Sequence, residues 1–261
     1  MQNKKDFNKN HRMLTLLTWA FIFLVWFIIT RFNLVSHLIV PSPGEVIQTF
    51  IAIVTDGYNG ISLWEHLGIS MLRLLIASVL AIVTAVPLGL FSGYFSKVGA
   101  VVDSIVQFYR PLPPLAYYVA LILWLGIDES SKITLLYLAA FAPIYIACVA
   151  AVANIRVEYL LSAKSLGASG KDLFFQIVFP ACLPDIFTSI RTAVGVAYTT
   201  LVSAEMIAAT SGLGWMVIDA SRYLKSSVIF VGIIIMGISG VLIDQGLKAL
   251  EKKIVFWKGY Q

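Results

Sequence analysis

Two stretches of this chain, residues 74–96 and 133–155, contain no charged residue and are almost entirely apolar. Each is at least as long as the roughly 20 residues that an α-helix needs to cross a hydrocarbon layer about 30 Å thick. Over the whole chain, 59% of the residues are hydrophobic and 13% are charged, against about 25% charged residues in a soluble protein. The sequence therefore predicts an all-α membrane protein. A soluble fold, a disordered chain and a disulfide scaffold are excluded.

Six windows are apolar enough to form transmembrane helices. They are residues 13–30, 74–96, 115–127, 133–155, 186–209 and 226–243. The third is short, and the fifth contains Arg191 and Glu205. The first follows a basic segment, as the core of a signal peptide does, but it is longer than a usual signal core and no small-residue cleavage site follows it. We expect it to be a retained membrane helix.

The positions of lysine and arginine predict the orientation, because the cytoplasmic loops of membrane proteins are enriched in both. With the N-terminus inside, the extracytoplasmic segments hold only Arg31, Lys132, Arg222 and Lys225. Arg73 falls at the outer end of the second window, where we expect it to anchor the helix at the lipid interface. Both termini are predicted to be cytoplasmic. The net charge of +5 then reflects the lysines and arginines of the cytoplasmic segments and does not indicate nucleic-acid binding.

This topology divides the chain into five predicted parts. They are a cytoplasmic tail 1–12, a first helix 13–30, an extracytoplasmic segment 31–68, a core 69–245 and a cytoplasmic tail 246–261. The core contains the longest cytoplasmic loop, residues 154–185.

Apolar residues recur at helical spacing in the 154–185 loop, which predicts two short amphipathic helices. Gly167 to Gly170 would form the turn between them, since glycine tolerates left-handed backbone angles and Ser169 can cap the following helix. Pro180 and Pro184 are predicted to interrupt the helix before the next span. The apolar faces of the two helices could pack against the protein's own spans or be covered by a partner.

The same loop resembles the EAA loop of permease subunits in bacterial ABC importers. That pattern has Glu-Ala-Ala, a glycine four residues later, and Ile-x-Leu-Pro beginning ten residues beyond the glycine. Gly167, Ile177 and Pro180 stand at this spacing, whereas Leu161 and Ser162 replace the first Glu and Ala, and Phe179 replaces Leu. The resemblance implies that the loop contacts an ATPase. The residues that it assigns to this contact are Ser162, Ala163, Lys164, Gly167, Ala168, Ser169, Asp172, Ile177 and Pro180.

Further motifs extend the resemblance over nearly the whole chain. Residues 41–43, 109–116, 125–133 and 204–214 look like the corresponding parts of permeases for taurine, alkanesulfonates and nitrate, and 109–116 and 138–143 are most similar to those for taurine. The resemblance implies a type I importer permease with a six-helix, methionine-permease-like core in the bacterial plasma membrane. It also implies a second, identical permease subunit, two cytoplasmic ATPase subunits that bind ATP and magnesium, and an extracytoplasmic binding protein that delivers the substrate.

Six residues are candidates for the pathway or its gate: Glu205, Gly212, Gly214, Arg110, Pro113 and Pro114. An ionisable group within a span is costly to insert and is often functional, so Glu205 could be a gate residue near the outer face. It could equally be a structural partner of a backbone group in the turn 212–214. The prolines after Arg110 favour an extended or kinked segment, which could shape the inner mouth or merely reverse the chain.

Other functions have little support in the sequence. A P-loop would need Gly at 165 and Ser or Thr at 172, where the chain has Ser165 and Asp172, so ATP hydrolysis would require a separate subunit. No catalytic group is expected, and the scattered histidines do not predict a metal site. A stand-alone secondary transporter is disfavoured because no span centre carries a charge. The substrate could be taurine, another sulfonate, nitrate or a vitamin precursor.

Overall fold

The structure is a computed structural model that describes residues 2–257, with side chains described from Met13 onward. Regular secondary structure in this range is helical, apart from an isolated antiparallel bridge between Tyr58 and Ile61. The chain forms two compact units. Among the described residues, one unit contains 2–64 and 216–235, and the other contains 65–215 and 236–257.

The helices are numbered in chain order. They are α1 (Gln2–Arg31), α2 (Pro43–Asp56), α3 (Leu63–Tyr94), α4 (Ser96–Tyr109), α5 (Pro114–Leu125), α6 (Glu129–Ala153), α7 (Val157–Ser165), α8 (Gly170–Ala208), α9 (Leu213–Arg222) and α10 (Ser226–Ile254). Within the described residues, α1 from Met13 onward, α3, α6, α8 and α10 are long and apolar enough to cross a membrane, and α5 is a shorter apolar helix. These six helices correspond to the six predicted windows, so the predicted fold class is confirmed.

Two helices differ from the prediction in extent. The second span begins at Leu63 and not near Leu74, because its first turns carry polar residues that a search for apolar windows excludes. Helix α4 lies between the second and third spans and was not predicted at all. It contains Lys97 and Asp103 and is amphipathic, so it has no long charge-free stretch.

Of the two short helices predicted in the 154–185 loop, only the first forms a separate helix. Helix α7 is present, but the second short helix is the beginning of α8, which continues through Pro180 and Pro184. Residues Leu173–Val178 are π-helical, and the amide of Phe179 donates to the carbonyl of Phe174. In a π-helix each amide donates to the carbonyl five residues earlier, and not four as in an α-helix. The hydrogen-bond pattern therefore changes directly before Pro180, which has no amide hydrogen to donate.

In the second unit, α6 packs against both α3 and α8. The approach to α3 is close because Gly89 and Gly93 face α6. A Cβ at Gly89 would lie 2.7 Å from the carbonyl oxygen of Tyr145, and one at Gly93 would lie 2.8 Å from the Cβ of Val152. These glycines therefore make an internal helix contact, as small residues at membrane helix interfaces do. The two cysteines, Cys148 and Cys182, are both buried and unpaired.

In the first unit, local hydrogen bonds fix the start of α2. Ser42 and Glu45 form a capping box, in which the hydroxyl of Ser42 accepts from the Glu45 amide and the Glu45 carboxylate accepts from the Ser42 amide. The amide of Ser42 lowers the pKa of the Glu45 carboxyl group by stabilising its charged form. Elsewhere in this unit, Tyr58 and Asn59 both donate to the carboxylate of Asp219.

Candidate functional site

Arg73 on α3 joins two other helices through ion pairs, one to the buried Glu205 and one to Glu129, whose side chain is 55% exposed. Its guanidinium donates to both carboxylate oxygens of Glu129 at the start of α6, at 2.5 and 2.7 Å. A third nitrogen donates to Glu205 on α8 at 2.8 Å and to the carbonyl of Ser211 at 3.0 Å. Arg73 is only 3% exposed. The prediction that Arg73 anchors the helix at the lipid interface is wrong, because its side chain is buried and is paired with carboxylates from α6 and α8.

Glu205 is held by three donors and is 1% exposed. Besides Arg73, the hydroxyl of Ser70 donates to it at 2.7 Å, and the amide of Gly214 donates to its second oxygen at 2.8 Å. A contact between Glu205 and the backbone of the 212–214 turn is one of the two roles predicted for Glu205, and this contact is present. A carboxylate with this many donors is well compensated for burial.

The turn that follows α8 is built around the same carboxylate. Gly212 has φ of +117°, and a Cβ there would lie 2.5 Å from the carboxyl atoms of Glu205. The amide of Gly212 donates to His66, and the amide of Leu213 donates to the hydroxyl of Ser70. Glycine is needed at position 212 both for its backbone angle and for space.

Lys132 completes what we call the Arg73 cluster, which consists of Arg73, Glu129, Lys132 and Glu205. The Lys132 ammonium group donates to the carbonyls of Ile127 and Asp128, at 2.9 and 3.3 Å, and lies 3.4 Å from Glu129. Two cations and two anions thus form a neutral cluster. Sequence reasoning missed Glu129 and Lys132 because Glu129 lies 56 residues from Arg73 along the chain.

Gly167 ends α7 as the sequence predicted. Its φ is +86°, its amide donates to Lys164, and the amide of Ala168 donates to Ala163. This pair of bonds is a Schellman motif, which usually requires glycine at the left-handed position. Ser169 is the residue directly before α8, although its hydroxyl bonds to the side chain of Asp172 and not to a backbone amide.

A groove of about 640 Å³ lies along the 154–185 loop. Seven of the nine loop residues singled out in the sequence line it, while Lys164 and Ser169 do not. The seven are Ser162, Ala163, Gly167, Ala168, Asp172, Ile177 and Pro180. Trp257, from the far end of the chain, also lines the groove.

The apolar side chains of the loop divide into two sets. Leu160, Phe174 and Val178 pack into the core, which is the first of the two alternatives considered for them. Leu166 and Phe175, by contrast, are 90% and 65% exposed. The protein's own spans therefore cover only one face of the loop.

Arg110, Pro113 and Pro114 form a separate region. Helix α4 ends at Tyr109, and α5 begins at Pro114, which needs no amide hydrogen at the first position of a helix. Arg110 lines a cavity of about 350 Å³ together with Asp103 and Tyr145. None of the Arg110–Pro114 residues is part of the Arg73 cluster.

A second ion cluster, the Arg191 cluster, joins α8 to α10 and consists of Arg191, Asp244, Lys248 and Glu251. Arg191 donates to Asp244 at 3.0 and 3.1 Å and to Glu251 at 3.2 Å. Lys248 lies 2.7 Å from Asp244. Sequence reasoning missed these pairs, although Asp244, Lys248 and Glu251 at i, i+4 and i+7 mark one charged helix face.

Comparison with known proteins agrees with the sequence motifs. Residues 85–256 match the family described as "Binding-protein-dependent transport system inner membrane component". The chain is 37% identical to the taurine transport system permease protein TauC of Escherichia coli strain K12, over 93% of this chain and 88% of TauC. It is 36% identical to the putative aliphatic sulfonates transport permease protein SsuC of the same strain, over 89% of this chain and 87% of SsuC. It is 30% identical to the nitrate import permease protein NrtB of Synechocystis, over 82% of this chain and 80% of NrtB. The chain belongs to the family of inner membrane components of binding-protein-dependent transport systems, and within it to the ABC importer permeases of the taurine, sulfonate and nitrate group.

Proposed function

We propose that this permease forms the membrane pathway for taurine or a closely related small aminosulfonate. The observation that carries the proposal is its similarity to TauC, which extends over nearly the full length of both chains at 37% identity. The identity to the nitrate permease is lower, at 30%, which favours a sulfonate over nitrate.

ATP would be hydrolysed by a separate cytoplasmic subunit. A P-loop needs glycine at position 165 and serine or threonine at position 172, but this chain has Ser165 and Asp172 there. In this proposal, two copies of the permease associate with two ATPase subunits that bind ATP and magnesium. An extracytoplasmic binding protein delivers the substrate to them.

The 154–185 loop is the proposed contact with the ATPase. Its exposed residues Leu166 and Phe175 offer apolar anchors, and the Schellman turn at Gly167 sets the angle between α7 and α8. Because α8 begins in this loop and crosses the membrane, a displacement of the loop is passed directly to a span. ATP-driven closure of the ATPases would then switch the pathway between two global states.

For Glu205, the contacts support a structural role over a gate. Three donors, two on α3 and one at the start of α9, hold the buried carboxylate, so opening a gate there would leave several buried polar groups without partners. The neutral Arg73 cluster also offers no net positive charge to attract a sulfonate. We propose that it stabilises the ends of α3, α6 and α8 and the turn after α8.

The proposed topology places both termini and the 154–185 loop in the cytoplasm. The Arg73 cluster is then extracytoplasmic, and the Arg191 cluster lies near the cytoplasmic face. Predicted tail residues 1–12 and 258–261 lie outside the residues whose side chains are described.

Uptake of labelled taurine tests the substrate. Cells that lack only this gene are compared with the same cells carrying the restored gene, with an alkanesulfonate and nitrate as competitors. Loss and recovery of uptake with weak competition would support taurine. Strong competition by the alkanesulfonate would favour the second candidate, suggested by the 36% identity to SsuC. Unchanged uptake would reject taurine and direct the search to other sulfonates, nitrate or a vitamin precursor.

A further inference from the structure

Trp257, which follows α10, lies at the proposed ATPase contact. Trp257 lines the same groove as Gly167, Ile177 and Pro180, although it is separated from them by the whole of α10. The EAA-like motif contains no residue from this end of the chain.

Local packing fixes the position of Trp257. Helix α10 ends at Ile254, and the amide of Val255 donates to the carbonyl of Glu251 at 2.8 Å. Val255 is 2% exposed, so the backbone directly before Trp257 is anchored in the protein. The neighbouring residue Phe256 is 75% exposed, and its ring is nearly perpendicular to that of Trp257. Of these two aromatic side chains, Trp257 lines the groove and Phe256 does not.

The Arg191 cluster connects this end of the chain to the other side of the groove. The Glu251 side chain is 9% exposed, and Arg191 lies 3.2 Å from its carboxylate. Arg191 is part of α8, whose first turns contain the groove residues Asp172 and Ile177. Both sides of the groove are thus attached to α8, one directly and the other through the ion pair.

We propose that Trp257 forms a second wall of the groove that receives the ATPase, and that Arg191, through its ion pair with Glu251, is a positioning residue for this wall. The inference rests on the proposed function, which supplies the cytoplasmic ATPase as the occupant. The groove lining combines Trp257, Ile177 and Pro180 with the single carboxylate of Asp172. It suits an ATPase segment that presents an apolar side chain next to a hydrogen-bond donor. A partly exposed tryptophan in such a groove is the kind of residue on which binding energy concentrates.

The test uses the full complex of permease, ATPase and binding protein. Trp257→Ala is compared with Phe256→Ala, which removes an adjacent aromatic side chain that does not line the groove. We expect Trp257→Ala to increase dissociation of the ATPase from the tagged permease by about 10-fold and to lower transport per ATP in proteoliposomes. Phe256→Ala should change neither quantity by more than about 2-fold. Equal effects of the two variants would overturn the proposal.

A double-mutant cycle tests the positioning role. Arg191→Gln should weaken ATPase retention in the same direction as Trp257→Ala, and Arg191→Lys should restore part of it. If Arg191 acts through Trp257, combining Arg191→Gln with Trp257→Ala should add little to the effect of Trp257→Ala alone. Fully additive effects would show that Arg191 does not position the wall.

A Gly167→Val variant separates this inference from the proposed function. If Gly167→Val uncouples transport while Trp257→Ala behaves as wild type, the second wall is wrong and the proposed contact of the 154–185 loop stands. If the wild-type chain neither retains an ATPase nor supports uptake, the proposed function fails and the second wall fails with it.

Discussion

The Arg73 cluster and the Arg191 cluster have the same composition, one arginine, one lysine and two carboxylates, but very different surroundings. In the Arg73 cluster, the side chain of Glu129 is 55% exposed, but the central pair of Arg73 and Glu205 is 3% and 1% exposed, and backbone groups complete the hydrogen bonding of this pair. In the Arg191 cluster, the side chains of Asp244 and Lys248 are 44% and 54% exposed, and the ion pairs join side chains to one another. Along α8, Arg191 and Glu205 are separated by about 21 Å at 1.5 Å per residue.

Two ion clusters with the same formal charges can therefore have different roles. A buried charge that loses its partner strongly destabilises the folded protein, whereas an exposed ion pair contributes little to stability because water and salt screen it. We therefore assign the Arg73 cluster to stability and the Arg191 cluster to positioning. The following predictions test that division, from the largest expected effect to the smallest.

Replacing Glu205 with alanine should have the largest effect. Arg73, Ser70 and the amide of Gly214 would all lose a buried acceptor, and breaking a buried ion pair typically costs about 3–5 kcal/mol. We expect little folded protein in the membrane and a much lower thermal midpoint for any complex that can be purified. The measurements are the protein level by immunoblot and thermal unfolding in detergent.

The matched control for this variant is Asp244→Ala, which removes a carboxylate from the Arg191 cluster. A Glu205→Ala protein that is as stable as wild type but does not transport would contradict the structural assignment. It would restore the interpretation of Glu205 as a gate.

Gly212→Ala should destabilise the same cluster by a steric route. The added Cβ would lie 2.5 Å from the Glu205 carboxyl atoms, and alanine is strained at a φ of +117°. We expect a loss of about 1–3 kcal/mol in stability, measured by thermal unfolding of the purified complex. Gly195→Ala is the control, since no atom lies within 4 Å of its added Cβ. If both variants have wild-type stability, the turn can move away from Glu205 and the cluster is less rigid than proposed.

Gly167→Val should affect coupling more than folding. Its φ of +86° costs a branched residue about 1–2 kcal/mol, and the strain falls on an exposed turn with no atoms within 4 Å of the new Cβ. We expect normal protein levels and a severalfold lower ratio of substrate transported to ATP hydrolysed. Gly170→Val is the control, because that site is equally open and does not have a positive φ. An unchanged ratio for Gly167→Val would remove this residue from the coupling mechanism.

Asp244→Asn should have the smallest effect on stability. The carboxylate is nearly half exposed, so water screens the ion pairs that it would lose. We expect no measurable change in the thermal midpoint, at either low or high salt. A large drop in the midpoint would show that the Arg191 cluster is a stability element like the Arg73 cluster, and the division between them would fail.

The features that were predictable from the sequence are encoded locally. The six spans follow from apolar length, and the turn at Gly167 follows from glycine after a helical pattern. The contact between Glu205 and the 212–214 turn connects residues only nine positions apart. Each of these interactions lies within one short stretch of the chain.

The features that were missed depend on distant partners or unusual backbone bonding. Arg73 was misplaced because its partner Glu205 lies 132 residues away, and a single sequence does not reveal such a pair. The continuity of α8 was missed because the rule that proline interrupts a helix assumes α-helical bonding, and the π-helical turns before Pro180 change it. Trp257 reaches the groove only through the fold of α10.

The burial of both cysteines makes site-specific thiol labelling practical in this protein. Cys148 and Cys182 are 0% and 1% exposed, so a water-soluble maleimide should leave the folded wild-type chain unmodified. A single cysteine introduced at Leu166 or Phe256 would then be the dominant reactive thiol, with no need to remove the native ones. Its alkylation rate, with and without the ATPase, would report whether a partner covers Leu166 in the groove or Phe256 beside it.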